Sequence, residues 1–288
     1  MKKSVTRIFA VAAVLGTGLW IRGLEPVKLA PAWWPWKTTA VTLYFSDGHF
    51  LFPVSRRMPT TDDLPRLALQ ALLAGPSPGS GLKNFIPAGV EIRSFTLADG
   101  AAQIDLSEVI VAEQNMHDAE MAIVQTMTRL PGVTSVSLSV EGKLLVQSAR
   151  RTPFLYYPSE DGLVAVSSPA TNPREALAAY LSGPPSSELT HLPPDARLLA
   201  HEYDSAGGLL SLQFAYTPLV RELALEKPHQ MRTLLLGLIA GLTEFSEIRA
   251  VRLDFGGQTR LGLGECSDLL GTPQPRPDLL NDERLLKW

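Results

Sequence analysis

Leu73-Ala74-Gly75-Pro76 is answered 108 positions later by Leu181-Ser182-Gly183-Pro184, and the echo extends in both directions. Upstream, Leu43-Tyr44-Phe45 matches Leu155-Tyr156-Tyr157. Downstream, Ile86-Pro87 matches Leu192-Pro193, and Ile104-Asp105-Leu106 matches Leu212-Gln213-Phe214. The series closes with Val136-Ser137-Leu138-Ser139-Val140-Glu141-Gly142 against Val251-Arg252-Leu253-Asp254-Phe255-Gly256-Gly257. An interval of this length exceeds solenoid repeats, which recur every ~20–50 residues. It suits two copies of a small domain.

Each copy carries the same local signals. Val41, Leu43 and Phe45 alternate with polar neighbours, the period of a half-buried strand, and Asp47-Gly48 turns it into a hairpin. Thr60 or Thr61 is placed to cap a helix whose Leu64, Leu67, Ala68, Ala71 and Leu72 share one face, and Gly75-Pro76 stops it. A second hairpin spans 90–106 around Asp99-Gly100. A second helix carries Met116, Ala119, Ile123, Met127 and Leu130, and a strand over 133–140 closes the copy. In the second copy Asn172-Pro173-Arg174-Glu175 combines an N-cap, a first-turn proline and an acid. Met231, Leu234, Leu235, Leu238, Leu242 and Phe245 stripe its long helix. The fold class is therefore α/β of the α+β type: two tandem two-layer sandwiches, each strand-strand-helix-strand-strand-helix-strand, after an N-terminal membrane segment. The divisions fall at 1–37 (signal-anchor and linker), 38–150, 151–260 and 261–288, the last a Pro-rich tail whose final stretch, Asp278 to Trp288, either docks as a helix or frays.

Charge and composition narrow the function. The net charge of −3 divides into +5 for residues 1–37 and −8 for the rest, with no basic run beyond the first segment. Nucleic-acid binding, which needs clustered Lys and Arg, is excluded on that balance. Cys266 is the only cysteine, so neither an internal disulfide nor a cysteine zinc site exists. Lys2, Lys3 and Arg7 precede an apolar stretch from Ile8 to Ile21, with Trp20, Trp33, Trp34 and Trp36 crowded behind it. That layout reads as a single anchor with interfacial indoles and the repeats outside the cytoplasm; secretion after signal cleavage is the alternative.

Catalytic signals are thin. Gly75-Pro76-Ser77-Pro78-Gly79 satisfies Gly-x-Ser-x-Gly, but a nucleophile elbow needs a strand before the serine and a helix after it. Here a helix precedes it and a proline follows. His117 and Glu120 are spaced for one helix face without a third ligand. The expectation is no catalytic residue, no metal and no cofactor. Outward positions on the strands mark instead a protein-contact surface, with the helix side as its rival: Tyr44, Gln103 and Asp105 in the first copy, Tyr156, Gln213 and Arg252 in the second, the paired tyrosines either gripping a partner or simply covering neighbouring strands.

The ordered motifs Leu73–Pro76, Ile86–Gly89, Asp99-Gly100, Ile104–Ser107, Thr126–Val133 and Val136–Gly142, repeated more loosely in the second copy, resemble the GerMN domain of GerM-type sporulation and spore-germination proteins. The second copy departs at Asp195, where the motif has glycine, and at Ser246-Glu247, where it has Pro-Gly. The resemblance implies a non-catalytic, membrane-tethered extracytoplasmic scaffold that assembles with envelope or spore-associated proteins. A module that binds or modifies peptidoglycan is the alternative. The family has no known catalytic residues.

Overall fold

The computed structural model describes residues 37–107, 113–256, 263–283 and 286. The expected anchor within residues 1–36 lies outside them. Among the described residues no helix is long and apolar enough to cross a membrane.

Each copy lays down its elements in the expected order. The first contributes β1 (Thr38–Ser46), β2 (Leu51–Pro59), α1 (Leu64–Ala74), β3 (Ile92–Ala98), β4 (Ala101–Leu106), α2 (Glu113–Met127) and β5 (Ser135–Val140), then an additional β6 (Lys143–Ala149). The second contributes β7 (Phe154–Pro158), β8 (Leu163–Ser167), α3 (Pro173–Leu181), β9 (Leu198–Asp204), β10 (Leu209–Phe214), α4 (Pro218–Glu226), α5 (Pro228–Leu242) and β11 (Ala250–Phe255). A 3-10 turn, Gly264–Leu269, and a short β12 (Gln274–Pro275) follow. Asn172 caps α3 as expected, its side chain accepting the Glu175 N–H while Glu175 accepts from Thr171. α1 starts later than its threonines suggest, at Leu64-Pro65 behind Asp63, because the fixed φ of proline suits the first turn.

Among the described residues the strands form three four-stranded sheets. β3-β4-β5-β6 belongs to the first copy and β12-β11-β10-β9 to the second, each with one parallel pair, β4–β5 or β10–β11, joined through helix. The third sheet, β1-β2-β8-β7, belongs to both copies. Each first hairpin leaves its own copy's sheet and meets the other hairpin through β2 and β8, which pair antiparallel at Leu51 and Ala165. Residues from Lys37 on thereby form one compact unit. The inner faces of the two outer sheets and one face of the shared sheet feed a continuous core, with Leu43, Phe45 and Val54 against α1, and Leu212, Leu253 and Phe255 among the residues packed with α5.

The shared sheet is curled. Tyr44 on β1 and Phe154 on β7 sit on opposite edge strands, yet their ring centroids are 5.5 Å apart. α5 packs against edge strand β7 at the closest range. A Cβ on Gly237 would collide with the Tyr156 carbonyl oxygen, whereas one on Gly241 would meet the Phe154 carbonyl oxygen at 3.4 Å, an ordinary contact.

Beyond β12 the described part of the C-terminal tail, residues 276–283, is an extended strap that returns to the first copy. Register would next oppose Leu163 to Pro53, but proline has no N–H to give the ladder. Asn281 fills that gap: its Nδ2 donates to the Pro53 and Leu163 carbonyls at 2.6 and 2.8 Å, and its Oδ1 accepts from the Leu163 N–H at 2.9 Å. The strap then runs beside β2, with Ser55 N–H donating to the Asn281 carbonyl. Glu283 finishes it, taking Arg56 in a bidentate pair at 2.7 Å and the Ser77 N–H at 2.7 Å.

The close approach of α5 to β7 gives a paired expectation. Gly237→Ala should cost about 1–3 kcal/mol through overpacking against backbone. Gly241→Ala should stay within ~1 kcal/mol of wild type, because the gain in helix propensity offsets a mild contact. Urea unfolding of the two variants checks this, and equal effects would contradict the packing.

Candidate functional site

Two features stand out: a buried polar cluster where the copies meet, and the open faces of the two outer sheets. The cluster is built from residues at equivalent places in the repeat. Tyr44 and Tyr156 are 112 positions apart and their hydroxyls lie 3.2 Å from each other. Arg129 follows the end of α2, Glu244 follows the end of α5, and the two are paired at 2.9 Å across 115 positions, the same offset that relates Val136 to Val251. Equivalent residues touching one another, with β2 antiparallel to β8, are the contacts of a local two-fold axis.

The hydrogen-bond directions follow from the chemistry. Glu244 is fully buried and accepts from Tyr156 Oη and Arg276 Nη2 on Oε1, and from Arg129 Nη2 on Oε2. Since the Tyr156 hydroxyl proton goes to Glu244, Tyr44 is the donor to Tyr156. Arg151, in the segment between the copies, adds an ion pair to Glu244 at 3.6 Å and donates to its main-chain carbonyl. The Arg129 guanidinium also lies over the Tyr44 and Phe154 rings, and that of Arg276 over Tyr156. Burial pushes the Tyr44 phenol well above its ordinary 10, so it stays a neutral donor. Burial would likewise raise Glu244, but Arg129, Arg276 and Arg151 outweigh it and hold the carboxyl below its ordinary 4.5.

Tyr44 and Tyr156 are therefore corrected. Alternation along β1 and β7 put them on an open face; both are completely buried. Their hairpins belong to the shared sheet, whose concave side is closed by Ala122 of α2 and Ala240 of α5. They anchor one copy to the other and are closed to an external partner. Pairing of tyrosines at equivalent positions was visible in the sequence; that they meet each other was not. Glu244 and Arg129 went unread, although the replacement of an arginine by an acid at the same place in the second copy was there to see.

The other four positions do lie on the open faces of the outer sheets. In the first copy Gln103 is exposed between Thr96 and Ser137; Asp105 sits half-buried beside Ser94 and Ser139, accepting the Gly142 N–H at 2.8 Å with Arg93 3.7 Å away. In the second, Gln213 is exposed between Ala200 and Asp254, and half-buried Arg252 lies in a row with Ser211 and Glu202. The first face is nearly uncharged at its centre, the second mixed. Ser77 is in the loop that ends α1, pinned by Glu283, and His117 is exposed on α2.

Comparison with known proteins agrees with this architecture. The Germane family, "Sporulation and spore germination", matches residues 42–146 and 154–261. Among solved structures, the tandem GerMN domains of the sporulation protein GerM from Bacillus subtilis superpose with a TM-score of 0.62 at 17% identity, covering 85% of this chain and 99% of that one. The first GerMN domain of the same protein matches at 19% identity over 40% of this chain and 95% of that one (TM-score 0.33). A putative lipoprotein from Clostridium perfringens matches at 25% identity over 40% and 83% (TM-score 0.27). No curated protein matches the chain.

Glu244→Ala should cost about 3–5 kcal/mol, because Arg129 would be left buried without its counter-charge. The pH dependence has a definite sign. A carboxyl held below its ordinary 4.5 adds stability above that value, and this is lost as pH falls through the lowered folded-state pKa. Denaturant titrations of wild type and Glu244→Gln between pH 3 and 7 should show a smaller acid-dependent loss in the variant; parallel curves would remove Glu244 from the account. Two tandem matches spanning most of the chain, on a fold shared with tandem GerMN domains, make it a member of the Germane family of sporulation and spore-germination proteins.

Proposed function

We propose that the protein is a non-catalytic scaffold of a sporulation or germination envelope complex, tethered by its N-terminal segment with both repeats outside the cytoplasm. The observation that carries this reading is the division of labour between the sheets. The shared sheet is covered on both sides and fastens the copies together, while the two outer sheets each keep a largely polar face open, the first with Leu144 exposed beside Ser139. A rigid body with two such faces holds partners in fixed relation, and its recognition chemistry is hydrogen bonding and shape. Ser77, the one residue with a hydrolase-like setting in sequence, precedes no helix and is held by Glu283. Family membership supports the sporulation-associated setting, and the basic-apolar-aromatic order of residues 2–36 supports the tether.

Gln103→Arg and Gln213→Arg place a charge at the centre of each open face without touching the core. At least one should reduce recovery of crosslinked envelope partners about tenfold, with unchanged unfolding midpoint. Gln70→Arg, on the exposed side of α1, should leave recovery intact. If both sheet variants keep every partner and Gln70→Arg loses them, the helix face is the contact surface and the open-sheet reading fails. Separately, the protein should remain in the membrane pellet after a high-salt wash, which releases proteins held only by surface charge. Release into the soluble fraction would dismiss the tether.

A further inference from the structure

Beside the buried cluster lies a pocket of about 330 Å³ formed by the edge of β1 at 39–42, by Arg129 and Arg151, and by Arg276 and Asp278 of the strap. Three guanidiniums thus converge on one internal carboxylate. Glu244 accepts from Tyr156, Arg276 and Arg129, and one carboxylate against three guanidiniums leaves the cluster with an excess of two positive charges in a part of the chain that is otherwise acidic. The side chains of Arg151 and Arg276 remain 37% and 31% exposed; Arg276 gives Nη1 to the Ala240 carbonyl and Nη2 to Glu244 and Tyr156, so its charge and remaining N–H groups, with the Arg151 guanidinium, are what a ligand would meet. Arg129 is 7% exposed, and its Nε has no hydrogen-bond partner among the described residues. A buried charged N–H of this kind is seldom left unmatched. Asp278, the remaining acid of the pocket, is exposed and takes part in none of the ion pairs among the described residues, so it does not cancel the excess by direct contact.

We propose that this pocket binds a small oxyanion, the carboxylate or phosphate head of a ligand, between Arg151 and Arg276. Guanidinium forks match both groups in planar, charge-assisted pairs. The volume admits a head group together with a small body beyond it, at the small end of ligand sites. Its place at the junction of both copies and the strap means that occupancy adds a further bridge between parts distant in sequence, and binding therefore raises stability by mass action.

Calorimetric titration of the full chain with sodium phosphate and, separately, sodium acetate, at constant ionic strength, tests the proposal, with acetamide as the uncharged control. At least one anion should saturate with a Kd of order 1 mM, and acetamide should give no isotherm. Phosphate without acetate assigns a phosphoryl head; acetate without phosphate assigns a carboxylate; both together assign a shared oxyanion site. Arg151→Gln should weaken binding about tenfold, through loss of a charge-assisted pair. Asp278→Asn, a surface change at a residue that takes part in none of the ion pairs of the lock, should strengthen it roughly threefold by removing a like charge from the rim. A merely structural cluster would not produce that gain. Absence of saturation by either anion up to roughly 50 mM, or an Asp278→Asn affinity no better than wild type, overturns the site; the second criterion holds even if Arg151→Gln fails to fold.

Discussion

The molecule turns on one carboxylate. A glutamate with no exposed surface stays ionised only if its lost hydration is replaced, and the replacement for Glu244 is drawn from four places in the chain. Arg129 comes from the first copy, Arg151 from the segment between copies, Tyr156 from the second copy and Arg276 from the strap. None of these segments could shift alone without stranding charge in a dry interior, where an unpaired ion costs several kcal/mol. The apolar contacts around it bury area but set no unique register. The polar lock adds a directional constraint between the repeats beside the β2–β8 pairing.

The strap extends the same logic to the backbone. A sheet made from two hairpins of separate copies needs its junction satisfied, and Pro53 withholds a donor there. The Asn281 side chain is an amide, so it presents the donor and acceptor that a peptide unit would, and it does so in the gap. Two residues on, Glu283 joins Arg56 of β2 to the loop after α1. The tail thus works as a thirteenth strand assembled largely from side-chain chemistry, and the loop containing Gly75-Pro76-Ser77 is tied to the far end of the chain.

Much of this was legible in the sequence, for a physical reason. Local order is set by turns, caps and hydrophobic period, and those are nearest-neighbour chemistry: Asp99-Gly100, Asn172-Pro173 and the stripe from Met231 to Leu242 each declare an element unaided. The internal repeat then turned weak signals into firm ones. β6 was readable too, since Glu141-Gly142, both at positive φ, make a two-residue hairpin turn ahead of Leu144, Leu145 and Val146. α4 was hidden because Thr217-Pro218 begins a short helix that runs almost directly into α5. What could not be read was which sheet each hairpin joins. Alternation assigns two faces to a strand, but it does not say that both will be covered. Tyr44 and Tyr156 therefore looked like surface anchors, and Asn281 looked like an ordinary residue of a Pro-rich tail.

The charge difference at the paired helix ends reaches beyond this one chain. A duplicated unit whose copies meet about a two-fold axis would ordinarily be able to pair with itself. Here two first copies would set Arg129 against Arg129, and two second copies would bury Glu244 against Glu244, each with like charges in a desolvated interface. Only unlike copies neutralise each other, so the fused chain behaves as an obligate heterodimer carried on a single polypeptide. Exchange of halves between molecules is disfavoured unless a first copy finds a second, and the linker already holds one alongside. The charge pattern thus selects the unlike pairing, and the segment between the copies keeps the matching partner within the same chain.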